Sequence, residues 1–433
     1  MKNLYRISFF IALVCFIVVF VMVLSGNLAQ AGLLVVTFFI TIGIGFRGFT
    51  MLKEFSFTAM IFGVVALALY YPEYFNEING YELSGLIIPL IMIIMFGLGT
   101  TMSLKAFHGV IKAPKGVFLG FFLQFTVMPL IGFTLANFSN FPAEIAAGLI
   151  LIGCSPSGVA SNVMAYIGKA NLPLSLTITS VNTLFAPLMT PFLMFLLAGS
   201  YIEISTTDMM WSITKMVILP VGAGILFNEF LHGKFKWLDD AMPVVSMIGI
   251  GVIILIATAL GRDSLLTMGP LLFVLVLVHN LSGYTLGYWS SRLLKMSEID
   301  CRTIAIEVGM QNAGLAKGIA QSLGKLATLG LAPLLFGPLM NVTGSILAIY
   351  WHRHPVEGQL DISDFMKIKK NFDHSMLTAG HYRSHQLESQ WTDEIKNHFI
   401  KWLEQHPSEP SLTREQLEIF LEKEEEKDSL IPT

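Results

Sequence analysis

The sequence predicts an all-α polytopic membrane protein: two inverted five-helix repeats, each with one broken helix, preceded by two extra N-terminal transmembrane helices and followed by a cytoplasmic tail. Three observations carry that prediction. The 433 residues are 54% hydrophobic and 13% charged, with a mean hydropathy of +0.67, a membrane composition rather than that of a soluble domain. Twelve apolar runs are long enough to cross about 30 Å of hydrocarbon. Two of them carry turn chemistry inside the run, at Ser155-Pro156-Ser157-Gly158 and at Val308-Gly309-Met310-Gln311-Asn312-Ala313-Gly314.

In chain order the runs lie near 7-25, 31-49, 56-73, 85-104, 115-136, 143-168, 172-198, 209-229, 241-260, 268-292, 300-323 and 328-351. With a cytoplasmic N-terminus, one set of loops holds Lys2, Arg6, Arg47, Lys53, Lys105, Lys112, Lys115, Lys169, Lys234, Lys236, Arg292, Lys295 and Arg302. The other set holds Arg262 and Lys325, with Lys215 and Lys317 inside span ends on that side. The positive-inside rule then puts both termini in the cytoplasm. Ala29-Gln30-Ala31 has the form of a signal cleavage site, but the apolar run before it is long for a signal peptide, so 7-25 reads as a retained helix. Cys15, Cys154 and Cys301 sit in or beside apolar runs without paired spacing and read as packing residues.

The interruption at 155-158 falls in the fourth span counted from residue 56, and the one at 308-314 in the fourth counted from residue 209. Five spans per half is an odd number, so the second half enters the membrane the other way up. That is the inverted repeat of secondary transporters, whose sites form at paired broken helices. Non-helical backbone is tolerated at that depth only where protein covers it or a wet cavity adjoins it.

Glu307 is the one carboxylate placed deep within a span, where a charge needs a cation or a proton. Gln311, Asn312 and the carbonyls freed by the break surround it in sequence. Ser161 and Asn162 follow the first break, Ser175 and Thr179 share a helix face four residues apart, and Gln124 is an isolated amide in an apolar run. Singly these are ordinary interhelical hydrogen-bonding groups. Together they read as an oxygen-lined ion site, for sodium or for a proton on Glu307. His279 and Asn280 have no partner at ligand spacing and read as packing groups. No HExxH, GxSxG, GxxxxGK[ST] or Cys/His cluster occurs, which argues against a hydrolase and an ATP-driven pump; no enzyme activity and no metal beyond sodium is expected.

The stretches "GCSPSGVASNVMAYIGKANLPLSLTITSVNTLFAPLMTPFL", "VHNLSGYTLGY" and "EVGMQNAGLAKGIA" resemble the bile acid:sodium symporter family over about residues 54 to 351. The resemblance implies ten helices in two inverted repeats, 54-200 and 205-351, whose broken helices cross. It also implies one sodium site at Ser161, Asn162, Ser175, Thr179 and Glu307, and a second at Gln124, Glu307 and Gln311 with the carbonyls of Val308 and Met310. The organic anion, a bile-acid-like, steroid or small carboxylate substrate, would meet Asn312 and Asn341. Two positions depart from the family: Ser157 stands in the usual Pro-Gly-Gly, and Val159 where a relative has a hydroxyl.

The expected function is thus sodium-coupled symport of an organic anion by alternating access, with a membrane anion sensor and a proton-coupled antiporter as alternatives. Na+ is the expected co-ion, and the resemblance and compact loops suggest a bacterial inner membrane. Expected partners are the anion, membrane lipid and an unidentified contact of the tail, and no nucleic acid. Residues 1-53 read as a helical hairpin outside the family core, and 352-433 as a polar tail with short helices at 391-405 and 413-427, the second opening with a capping box from Thr413 to Gln416. His374, His381 and His385 fit no standard metal site, and the run from Glu422 to Asp428 reads as a solvated face.

Overall fold

The computed structural model describes residues 2–49, 52–53, 55–102, 113–231, 236–354, 356, 362–378, 382, 391–405, 417 and 421. Each expected span coincides with a helix or a pair of helices. They are α1 (Lys2–Leu24), α2 (Gly32–Phe46), α3 (Phe55–Tyr70), α4 (Ile87–Thr101), α5 (Pro114–Ser139), α6 (Ala143–Gly153), α7 (Ala160–Ile167), α8 (Leu172–Ala198), α9 (Thr206–Ile213), α10 (Leu219–Leu231), α11 (Lys236–Leu260), α12 (Arg262–Leu293), α13 (Glu298–Gly309), α14 (Ala313–Ser322) and α15 (Leu331–Arg353). Among the described residues, 7 helices are long and apolar enough to cross a membrane, joined by shorter apolar ones. The chain is a polytopic integral membrane protein whose spans are all helical among the described residues.

Local chemistry sets the boundaries. Asn171 caps α8, its side chain accepting from the Leu174 amide at 3.1 Å with proline in the first turn. Ser297 caps α13 in the same way, at 3.2 Å from the Asp300 amide. The run read as 209-229 is helical from Thr206, and a π-helical turn at Thr214–Ile218 joins α9 to α10. Between α3 and α4 lies a small antiparallel hairpin, β1 (Glu77–Ile78) with β2 (Tyr81–Glu82). Asn79 and Gly80 take φ of 51° and 82° at its tip, the left-handed pair that a two-residue hairpin turn requires.

The first interruption spans Cys154 to Val159, and the second only Met310 to Asn312, shorter than the sequence pattern suggests. The reason is a cap. The Asn312 side chain already accepts from the Leu315 amide at 3.0 Å, so α14 restarts immediately.

The chain divides into two compact units, Met1–His352 and Arg353–Thr433. In the second unit, α16 (Ile362–Thr378) goes beyond what the sequence pattern predicts, while α17 (Asp393–Gln405) matches the expected first tail helix. Phe365, Ile368, Phe372 and Met376 recur at helical spacing and bury against Trp391, Ile395, Phe399 and Trp402, a small aromatic core. Apart from Leu417 and Leu421, the expected helix 413-427 with its capping box, the run from Glu422 to Asp428, His381 and His385 lie outside the described residues, as do Lys105, Lys112 and Lys234.

Candidate functional site

The two interruptions satisfy each other's backbone. The Gly158 amide donates to the Met310 carbonyl and the Asn312 amide to the Pro156 carbonyl, each at 2.8 Å, so that Ser157 and Gln311 form a one-residue antiparallel bridge. This removes the cost of bare peptide groups at membrane depth. It also explains the glycine: a Cβ on Gly158 would stand 2.6 Å from the Gln311 carbonyl oxygen.

Beside this bridge, Glu307 is fully buried in the last turn of α13, where the helix dipole adds to its negative charge. Its Oε1 lies 2.6 Å from Ser161 Oγ and 2.5 Å from Ser175 Oγ, and its Oε2 lies 2.8 Å from Thr179 Oγ1. Asn162 Oδ1 joins them, 2.9 Å from Ser175 Oγ and 3.3 Å from Thr179 Oγ1. Ser161 Oγ is also 2.6 Å from the Gly158 carbonyl. Three hydroxyls, each with one hydrogen, therefore face four acceptor oxygens: two of Glu307, one of Asn162 and one of Gly158. With Glu307 ionised, hydrogen bonds alone leave one acceptor of this set unmatched, and a small hard cation, which takes oxygen ligands of either charge, or a proton on the carboxylate supplies the missing positive charge.

A second cluster lies across the bridge. Gln124 Nε2 donates to the Ser155 carbonyl at 2.7 Å and to Gln311 Oε1 at 2.6 Å, and Gln311 Nε2 donates to the Val308 carbonyl at 2.7 Å and, longer, to Gln124 Oε1 at 3.4 Å. Here each amide hydrogen has an acceptor. The Val308 and Met310 carbonyls, expected as ion ligands, are both engaged by hydrogen bonds.

A cavity of about 700 Å³ abuts the breaks, within the range of small-molecule sites. Gly158, Val159, Gln311, Asn312 and Asn341 line it together with apolar residues of α3, α4 and α11. Asn312 lends its oxygen to the cap, and its amide nitrogen is buried without a partner among the described residues, a donor available to an anion.

The structure thus brings the residues expected at the sodium and anion sites into two clusters and a cavity lining. It adds others. Asn182 donates to Ser157 Oγ at 2.7 Å, and Asn280 holds the Gly309 carbonyl at 2.9 Å while accepting from Thr343 at 2.6 Å. Asn182 carries a usable signal, since it continues the helix face of Ser175 and Thr179 at i+7. His279 bonds the Met128 carbonyl at 3.0 Å.

Residues 88–268 match the sodium bile acid symporter family. Over 302 residues the chain is 38% identical to the uncharacterized sodium-dependent transporter YocS of Bacillus subtilis, which covers 70% of this chain and 91% of that one. It is 34% identical over 289 residues to the probable sodium/metabolite cotransporter BASS1, chloroplastic, of Arabidopsis thaliana, covering 66% of this chain and 71% of the relative. The ileal sodium/bile acid cotransporter of Oryctolagus cuniculus is 33% identical over 257 residues, covering 57% of this chain and 72% of its own.

Proposed function

The chain belongs to the sodium bile acid symporter family, sodium-dependent transporters and not enzymes, and from that premise we propose that it imports an organic anion together with two sodium ions by alternating access. The observation that carries the reading is the surplus of acceptor oxygens around the buried Glu307. The first sodium ion binds Glu307, Ser161, Asn162, Ser175 and Thr179. The second takes Gln124, Glu307, Gln311 and the Val308 and Met310 carbonyls. Its ligands are tied up by hydrogen bonds between themselves and to the bridge, so it binds after the first, once Gln311 turns its oxygen inward. Sodium is a co-substrate here, consumed from the outer pool with each cycle.

Residues 54-351 form the transport core as two inverted repeats, 54-200 and 205-351, and the reciprocal bonding of the two breaks supports that symmetry. Residues 1-53 and 352-433 flank it. With the termini cytoplasmic, the cavity draws on the cytoplasmic ends of α4, α10 and α11, through Thr100, Asn228 and Met242, which makes this an inward-facing state. Asn312 and Asn341 contact the anion, which is a bile-acid-like, steroid or small carboxylate molecule. The likeness to the Bacillus transporter supports a bacterial plasma membrane.

Uptake into proteoliposomes tests the reading. An inward sodium gradient should concentrate labelled taurocholate or pantoate, and a potassium gradient should not. Uptake that persists in choline and follows pH would replace sodium by protons, and stoichiometric binding without turnover would make the protein a sensor.

A further inference from the structure

Lys317 lies in the second turn of α14, five residues beyond Asn312, and lines the same cavity. The residue is 3% exposed. Lysines near the end of a membrane helix usually extend their ammonium to the interface; this one instead turns into the protein. Among the described residues it has no hydrogen bond and no ion pair. The carboxylates that could have served are engaged elsewhere: Glu307 by its three hydroxyls, Glu144 by Lys325 and Thr328, and Glu298 by Arg302. A buried ammonium at membrane depth without a counter-charge is costly, and it marks a functional site whose partner comes from outside the protein.

The cavity specifies that partner. Lys317 is its only charged lining residue among those described, and the unpaired Asn312 amide lines it too. One ammonium and one neutral donor suit a single oxyanion group. Ile91, Met95, Ile250 and Ile254 line the cavity as well and offer an apolar surface. We propose that Lys317 is the charge partner of the transported anion, pairing with the one carboxylate or sulfonate of an amphipathic substrate whose body lies on that apolar surface. This rests on the cavity being the anion site and deepens it: singly charged amphiphiles are selected over neutral ones.

The test is binding to the purified full chain at saturating sodium, by calorimetry, for wild type and Lys317→Met. Methionine keeps the length and removes the charge, a change that a buried site tolerates. The probes are cholate, taurocholate, pantoate and the neutral methyl ester of cholate. Wild type should bind at least one of the anions, and bind cholate more tightly than its ester. In Lys317→Met, affinity for each anion that binds should fall about tenfold or more, as when a charged hydrogen bond is lost. Affinity for the ester should hold, and stabilisation by sodium should persist.

Equal anion affinity in the two proteins would overturn the proposal, as would binding of no anion by wild type, or a variant that changes only the sodium titration. A wild type that shows no sodium-specific stabilisation but loses anions on Lys317→Met would sink the symport reading and leave this one standing.

Discussion

Around Glu307 three hydroxyls serve four acceptor oxygens, whereas around Gln124 and Gln311 each amide hydrogen meets an acceptor. The two clusters are neighbours, since Gln311 belongs to the same bridge as Ser157 and follows Glu307 by four residues. They differ in what they lack. With Glu307 ionised, the first is short of positive charge, which a sodium ion or a proton would supply; in the second every amide hydrogen already has its acceptor. If both take sodium as proposed, the first fills before the second, and an anion that meets Gln311 and Asn312 in the cavity would report on whether the second step has occurred. Linkage then requires that anion binding tighten sodium binding.

The charge on Glu307 is what distinguishes the two clusters, and its removal has the largest expected effect. Glu307→Gln should abolish sodium-driven uptake and weaken sodium binding by about 3–5 kcal/mol, as for a buried charge pair losing one partner. Stability in potassium should hold or rise, because the desolvated carboxylate is gone. Uptake by the variant at wild-type rate would contradict the assignment. Next in size is Gly158→Ala, which sets a Cβ 2.6 Å from the Gln311 carbonyl and should cost about 1–3 kcal/mol in stability by overpacking. Thermal unfolding would show it, and uptake should fall because the bridge holds both clusters.

Gln124→Leu attacks the balanced cluster alone. It should leave the first sodium ion in place while the Hill coefficient for sodium falls from about two toward one, since a single site then remains. An unchanged coefficient would remove Gln124 from the second site. The smallest effect is expected from Ser175→Ala, one ligand among several, at about 1 kcal/mol or roughly fivefold in sodium affinity. A loss as large as that for Glu307→Gln would show the hydroxyl set acting as one unit.

Much of this is legible in the sequence because membrane physics makes it so. A lone carboxylate in an apolar span demands a partner, and turn residues inside a span demand cover, so Glu307 and the two breaks stand out from composition and spacing. Spans announce themselves by length and hydropathy. The hydrogen balance of each cluster does not, because it depends on which oxygens approach within bonding distance; Ser161 meets Glu307 across 146 positions of sequence. The bridge between the breaks is hidden for the same reason. Lys317 is visible as a charge in a span but reads as belonging to a helix end, since nothing in the sequence says whether a lysine reaches outward or in. In the tail, the helical spacing of Phe365, Ile368, Phe372 and Met376 is present and is masked by the polar composition around it.

Thermal unfolding of the purified chain over a sodium titration, with potassium at equal ionic strength as control, decides whether the oxygen surplus at Glu307 is a sodium site. A sodium site there gives a sodium-specific rise in stability that grows with the logarithm of concentration above the dissociation constant, about 2.7 kcal/mol at a hundred times that constant, and none in Glu307→Gln. Identical curves in sodium and potassium, or a sodium response that survives in the variant, would contradict it.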